Sequence, residues 1–479
     1  MQQKTFIGPR LRRLRRERGE TQSAMARGLG ISPAYVNLLE NNQRSVSVRV
    51  LLRLMDTYGV DWRELAEDDG AALLPDLRAI VQDPVFEGTR PDLAQIRAAL
   101  VHCPTLAAAL LKLHESYQGV VEQLLAASEA QAEGATPGET AAETGPAVAS
   151  RPEAAVHNTF RRHRNHFREL EAAAEAFWAG EAPDVDDIYH ALKTRLKTEM
   201  RIGVRVVPVE QLPSTLRFLD ERRGEILLSQ ALDHPNRIFQ LVHVVGLLTC
   251  KPVLDALMAK AALAGARERA RLRVELANYF AAAVLMPYGA FLEAARGSKY
   301  DFDHLATRFG VSFEQACHRA TTMQREGAQG VPLFFLRIDK AGNVTKRFNA
   351  TDFHLAEFGG ACPRLDIHTS FRLPGRIVPQ FVEMPDRSQY FVFSRTVERP
   401  IFERFAQDNR LAVAMGCALE HVGAIGYAEA FALAGARMTP IGINCRICPR
   451  ANCDQRAYQA AVVSQAIDER RRGATRFES

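Results

Sequence analysis

The sequence predicts a multidomain chain: an all-α helix-turn-helix domain at the N-terminus, followed by two α+β domains. Three observations predict this. Two short helical patterns joined at a glycine, the second with a strong start signal, fill the first 65 residues. The stretch Ala127–Pro152 is rich in Ala, Glu, Gly, Thr and Pro, lacks aromatic residues, and so cannot bury a core. Beyond it, helical and strand periodicities mix. At 479 residues the chain should hold about three domains.

The N-terminal pattern runs from Thr21 to Val36. Ala26 is small enough for two helices to cross closely, and Gly30 stands where the chain must turn and take positive φ. Ser32 suits an N-cap, and Pro33 the first helical position, where its missing N–H costs nothing. Met25, Leu29, Ile31, Val36 and Leu39 are spaced to close a small core, leaving Tyr35, Asn37, Asn41 and Arg44 on the outer face, as a recognition helix requires. Charge agrees. Residues 1–65 carry a net charge of +6 against +5 for the whole chain, and Arg10, Arg12, Arg13, Arg15, Arg16 and Arg18 crowd the first helix, where they can face phosphates. The segment resembles the Cro/repressor-like helix-turn-helix family. That resemblance implies DNA contacts from Gln22 and from the Ser32–Arg44 region, with Ser32, Ala34, Tyr35, Asn37, Asn41 and Arg44 at the interface; charge adds Arg10 and Arg13.

The domain borders follow composition. Residues 1–68 form the DNA-binding domain, 69–126 a helical connector in which Leu106, Leu110, Leu113 and Tyr117 keep helical spacing, and 127–152 a flexible linker. Residues 153–330 and 331–479 make the two α+β domains. In the first, a helix is expected over 160–179, strands at 204–207 and 225–228, and helices near 235–249 and 264–286. In the second, strands are expected at 331–338 and 390–393, with a hairpin turn at Gly342-Asn343. No apolar run reaches the ~20 residues that span a bilayer, and no secretory leader is evident, so a cytoplasmic location without membrane association is expected.

The segment Phe239–Leu248 invites comparison with the His-Glu-x-x-His zinc-protease helix, which sets two imidazoles one turn apart with Glu as general base. His243 is present, but Val244 stands at the base position and Leu247 at the second ligand. Residues 275–287 are similar to the third-ligand helix of the ImmA/IrrE-type metallopeptidase-like family, with Glu275 at its carboxylate position, and the resemblance covers roughly residues 155–325. One His and one distant Glu do not make a catalytic zinc site. The expected result is a peptidase-like scaffold without hydrolysis, with His243 a packing residue and no catalytic residues; a zinc peptidase acting on a repressor is the enzymatic alternative.

Near the C-terminus, Cys445, Cys448 and Cys453 stand in a C-x2-C-x4-C run among Arg446, Arg450 and Arg456, which can offset thiolate charge. Three close thiols in a reduced compartment suit a soft metal centre, and spacing alone leaves zinc and iron–sulfur open. A fourth ligand must come from elsewhere; Cys417 and Cys362 are the candidates, and Cys417, nearer in sequence, is preferred. The full order of domains resembles the short-chain fatty acyl-CoA regulators, through Gly359–Arg364, Phe371–Arg376 and the cysteine run with Gln455-Arg456-Ala457. This resemblance implies a [4Fe–4S] cluster and a short-chain acyl-CoA effector in the C-terminal metal-cluster domain, with Arg364, Arg372 and Arg376 as candidate phosphate partners. The expectation is a ligand-responsive transcriptional regulator, a homodimer or homotetramer on a double-stranded DNA operator; a redox-sensing iron–sulfur transcription factor is the main alternative.

Overall fold

A computed structural model describes residues 8–59, 69–117, 152–178 and 184–458, apart from residues 42, 45, 82, 87–88, 115, 262, 264, 354–359, 404–407, 430–436, 446–447 and 451–452. The chain forms two compact units, Met1–Val148 and Ala149–Ser479. Most of the expected linker, 127–152, lies outside the described residues.

In the first unit, α1 (Gly8–Glu17), α2 (Gln22–Leu29), α3 (Pro33–Glu40) and α4 (Val48–Tyr58) close over Leu11, Met25, Ala26, Leu29, Val36, Leu39, Val50 and Leu54. The Thr21 side chain caps α2 by accepting from Ala24 N, and Gly30 ends it at φ +62°. The Ser32 side chain then caps α3 by accepting from Tyr35 N, with Pro33 at the helix start as expected. Gly30 is needed twice over: a Cβ there would sit 1.7 Å from Nη1 of Arg53, whose guanidinium donates to the Leu29 carbonyl at 2.8 Å. The connector is helical, with α5 (Asp69–Ile80), α6 (Leu93–His102) and α7 (Pro104–His114) around a second small core.

In the second unit the helix expected over 160–179 is two helices, α8 (Pro152–Arg162) and α9 (Arg168–Phe177). Arg164 and Asn165, at φ +48° and +56°, turn the chain between them, a break that apolar spacing does not signal. After α10 (Ile188–Glu199), strands β1 (Gly203–Val207), β2 (Arg217–Asp220) and β3 (Glu225–Ser229) form a three-stranded sheet in the order β1-β3-β2, with β1 parallel to β3. Then come α11 (His234–Thr249), α12 (Lys251–Lys260), α13 (Ala266–Leu285), α14 (Tyr288–Gly297), α15 (Phe302–Phe309) and α16 (Phe313–Thr321). Helix α11 presses on α13 at Gly246, where a Cβ would lie 2.7 Å from the Phe280 ring.

A six-stranded sheet completes the unit: β4 (Phe334–Ile338), β5 (Val344–Asn349), β6 (Val378–Glu383), β7 (Gln389–Val397), β8 (Leu411–Ala418) and β9 (Thr439–Pro440), ordered β5-β4-β8-β7-β6-β9. The hairpin expected at Gly342 joins β4 to β5, with Gly342 at φ +85°. Both faces of this sheet are buried, which is why β7 and β8 read as nearly continuous apolar runs. Phe335, Phe348, Phe391, Phe393, Met415 and Cys417 face the helical layer and join its core; Phe334, Leu336, Tyr390, Val392, Ala412 and Ala414 face a smaller core with Phe353, Cys362, Leu365 and Ile441. The larger apolar core runs from Val156 to Ala428 across the border expected at residue 330, whereas the smaller one lies wholly beyond it. Among the described residues, no single helix is long and apolar enough to cross a membrane.

Candidate DNA interface and cysteine cavity

Helix α3 presents Ala34 and Asn37 as exposed residues, its C-cap Asn41 is exposed too, and Arg44 is exposed just beyond. Tyr35, expected on the outer face, is half-buried and packs on the core. Ser32 is exposed, with its hydroxyl committed to the α3 cap. The side chains of Arg10 and Arg13, both on α1, lie outside the described residues.

The sequence did not single out Glu40, which organises this surface. It is 3% exposed at the end of α3. Arg15 grips its carboxylate in a bidentate pair, Nε to Oε1 at 2.5 Å and Nη2 to Oε2 at 3.1 Å. Gln22 donates from Nε2 to Glu40 Oε2 at 2.8 Å and to Asn37 Oδ1 at 3.4 Å, and Asn41 Nδ2 donates to Asn37 Oδ1 at 3.0 Å. Arg12 donates to the Asn41 side chain and to the Glu40 carbonyl. Burial pushes the Glu40 carboxyl up, but Arg15, Gln22 and Arg12 outweigh it and hold it below its ordinary value. Arg12 and Arg15, expected to face phosphates, thus spend hydrogen bonds inside the domain, and Arg18 donates to the Tyr58 carbonyl at 3.3 Å. Arg16, Arg27, Arg44 and Arg49 remain as exposed cations.

In the peptidase-like region, His243 is 3% exposed on α11 and its Nε2 lies 3.3 Å from the Val274 carbonyl. Nδ1 has no partner. Burial, then the Arg217 charge, bring its pKa down to about 4. Val244 is fully buried. Glu275 on α13 is engaged by Arg271 at 3.2 Å and Asn278 at 3.1 Å. Of the two residues that survive from the zinc-protease pattern, Glu275 is engaged by protein groups and His243 by one ring nitrogen only.

The cysteines give a different picture. Cys362, Cys445, Cys448 and Cys453 line one small cavity that is partly open to solvent. Gly442 forms its wall, where a Cβ would fall 2.5 Å from Cys448 Sγ. Ala457 N donates to Cys445 Sγ at 3.5 Å. Arg456, 7% exposed, ties the loop together by donating to the carbonyls of Cys445, Cys448 and Arg450; Arg450 donates to those of Ile441 and Glu383. Burial pushes the Cys362 and Cys448 thiols up; backbone N–H groups of Gly442 and Arg364 oppose this at Cys362, and that of Arg450 with the Arg456 and Arg450 charges at Cys448.

The preference for Cys417 is corrected here. It lies on β8 opposite Phe391, fully buried in the core on the helical side, with its thiol pushed up to about 12 by burial alone. Cys362 is on the cavity side, and strand alternation keeps Cys417 from reaching it. Among the described residues, no three His, Cys, Asp or Glu side chains close on a point that could hold a metal ion. Four thiols round this cavity, with backbone N–H groups on the sulfurs, are a donor set of the kind that soft, thiolate-held centres use. Of the candidate phosphate partners, Arg364 lines the cavity and pairs with Asp454 at 3.3 Å, while Arg372 and Arg376 are exposed beside the Gly375 turn.

Three family models match in order: a helix-turn-helix domain over residues 7–67, an IrrE N-terminal-like domain over 199–321, and the short-chain fatty acyl coenzyme A regulator C-terminal domain over 322–477. The chain is 37% identical to a propionyl-CoA carboxylase regulator of Cereibacter sphaeroides, over 100% of this chain and 99% of that one. It is 34% identical to the transcriptional regulators RamB and PrpR of Mycobacterium tuberculosis, over 98% and 97% of this chain and 97% and 94% of theirs. A solved Mycobacterium tuberculosis transcriptional regulator superposes with a TM-score of 0.64 at 32% identity, covering 69% of this chain and all of that one.

Proposed function

Because this chain belongs to the short-chain fatty acyl coenzyme A regulator family, we propose that it is a ligand-responsive transcriptional regulator of short-chain acyl-CoA metabolism, and not an enzyme. It reads a duplex operator with α3, where Ala34, Asn37, Asn41 and Arg44 reach base edges and the exposed arginines Arg16, Arg27 and Arg49 meet phosphates. The observation that carries this reading is the α2–α3 surface itself: a capped recognition helix whose polar residues are ordered from behind by Gln22 and buried Glu40. Cys362, Cys445, Cys448 and Cys453 would hold a [4Fe–4S] cluster, which supplies a thiolate-bound redox-capable centre when present. Arg456 and Arg450 hold the ligand loop, and Gly442 keeps its wall open. A CoA thioester is the effector. It acts by binding the DNA-competent and DNA-incompetent arrangements with different affinity.

The test is anaerobic purification, with iron, sulfide and zinc measured on one sample, followed by DNA titrations with propionyl-CoA, acetyl-CoA and free CoA. About four irons and four sulfides per chain, and DNA affinity that moves with a thioester but not with free CoA, are expected. Zinc without sulfide would overturn the cluster. DNA affinity indifferent to every thioester but altered by oxidation would overturn the effector.

A further inference from the structure

Three side-chain amides meet on the reading surface, and a charged group stands at each end of their row. Gln22 Nε2 lies 2.8 Å from Glu40 Oε2 and 3.4 Å from Asn37 Oδ1; Asn41 Nδ2 lies 3.0 Å from the same Asn37 oxygen, and Arg12 meets Asn41 Oδ1. An amide can be turned end for end, but a carboxylate only accepts and a guanidinium only donates. Glu40 is buried, paired to Arg15 and held below its ordinary pKa, so it is ionised. It therefore takes an N–H from Gln22, whose second N–H goes to Asn37. From the other end, Arg12 takes the Asn41 oxygen, which leaves Asn41 to turn an N–H to Asn37. Both ends give the same answer at Asn37: its oxygen faces inward between two donors. Turning that amide round would set N–H against N–H twice.

We propose that Asn37 meets DNA with its amino group alone and selects guanine. With Oδ1 occupied, the exposed Asn37 has only Nδ2 and its two hydrogens to offer. An asparagine that reads adenine uses both ends of its amide, donating to N7 and accepting from N6. Here the accepting end is already engaged. Guanine shows two acceptors, O6 and N7, and no donor on its major-groove edge, so it matches an amino group. Thymine shows one acceptor beside a methyl group, adenine sets its own amino group against that of Asn37, and cytosine shows only a donor. Gln22 is left with the opposite sign: both its N–H bonds are used, and Oε1 can only accept. This assignment deepens the DNA-binding reading and rests on α3 being the recognition helix; what it adds is the base.

The full-length chain is offered a random duplex pool, and the bases of the retained duplexes are counted position by position for the parent, N37A, N37D and Q22L/N41A. Asn37 is exposed, so circular dichroism of its two variants should match the parent. N37D keeps an oxygen toward Gln22 and Asn41 and exchanges only the outward amino group for an acceptor. Q22L/N41A removes both donors to Oδ1 and frees the amide to turn. The expected result is one position where the parent prefers guanine by about 10-fold, where N37A has no preference, and where N37D turns the pair round to prefer cytosine, whose N4 donates. In Q22L/N41A that position should accept adenine as well as guanine. Placing 7-deazaguanine there should weaken the parent several-fold and leave N37A unmoved. Adenine at the position that depends on Asn37 in the parent would overturn the assignment, as would a guanine preference that survives N37A or a profile indifferent to N37D. A parent that retains no duplex above a bead-only control would instead overturn the DNA reading, since no position then carries a preference at all.

Discussion

Replacing Glu40 should damage both the fold and the reading surface of the N-terminal domain. In E40A, Arg15 keeps a side chain that is 15% exposed and loses both carboxylate partners, while Gln22 loses the stronger of its two acceptors. Removing one member of a buried pair costs about 3–5 kcal/mol, and partial exposure of Arg15 places this case near about 3 kcal/mol. Hydrogen exchange of the α1–α4 amides in the full-length chain is the measure, since a two-unit protein does not unfold as one transition. Protection there should fall by roughly two orders of magnitude, with the 152–458 region unchanged. DNA affinity should fall by at least about tenfold, the worth of one lost ordering hydrogen bond. Because the folded carboxyl sits below its ordinary value, this stabilisation is complete above the ordinary glutamate pKa and is lost as the pH falls through the folded one. E40Q, which keeps the shape and loses the charge, should fall between. Protection within a few tenths of a kcal/mol of the parent in E40A would refute the role given to the pair.

Gly30→Ala must place a Cβ at positive φ and against Arg53; a loss of about 1–3 kcal/mol, read by the same exchange experiment, is expected. C362S should empty the cysteine cavity of iron and sulfide whereas C417S should leave both at parental levels, measured on anaerobically purified chain. G442A should also lose the cluster, through the Cβ it drives at Cys448, without altering exchange in α11 or α13. His243 is held neutral with a pKa of about 4, so the unfolded chain binds a proton that the folded chain refuses; stability of the second unit should decline between about pH 6.5 and pH 4 by up to about 3 kcal/mol. H243F should flatten that decline in a urea titration across pH, and added zinc should not protect the parent.

Much of the helix-turn-helix was legible because its signals are local: the Gly30 turn, the Ser32 cap and the Pro33 start each act within a few residues. The polar hub was not, since Glu40 looks like any helix-terminal acid until α1 brings Arg15 across 25 residues. The same contrast holds at the cysteines. The three of the C-x2-C-x4-C run are near one another by necessity, but the fourth depends on which face of a sheet each candidate occupies. Sequence distance favoured Cys417, and strand parity favours Cys362. The break between α8 and α9 was hidden because non-glycine residues supply its positive φ.

The parity that separates the two cysteines also gives the second unit its mechanical logic. Each inner strand of the six-stranded sheet alternates between two cores: on β7, Tyr390 and Val392 pack on the cysteine side, Phe391 and Phe393 on the helical side. Successive side chains of one strand thus serve different cores, so the two rows share a single backbone. On β8 the strands leave no room for a side chain at Gly416, where a Cβ would strike the Phe334 ring at 2.4 Å and the Phe391 carbonyl at 2.8 Å. Cys362 and Ile441 pack on one face of this sheet, and Phe391, Phe393 and Met415 on the other, within the core that holds the peptidase-like helices. The scaffold that lost its zinc ligands is in this way the direct packing neighbour of the cysteine-bearing sheet, which gives it a reason to persist without catalysis.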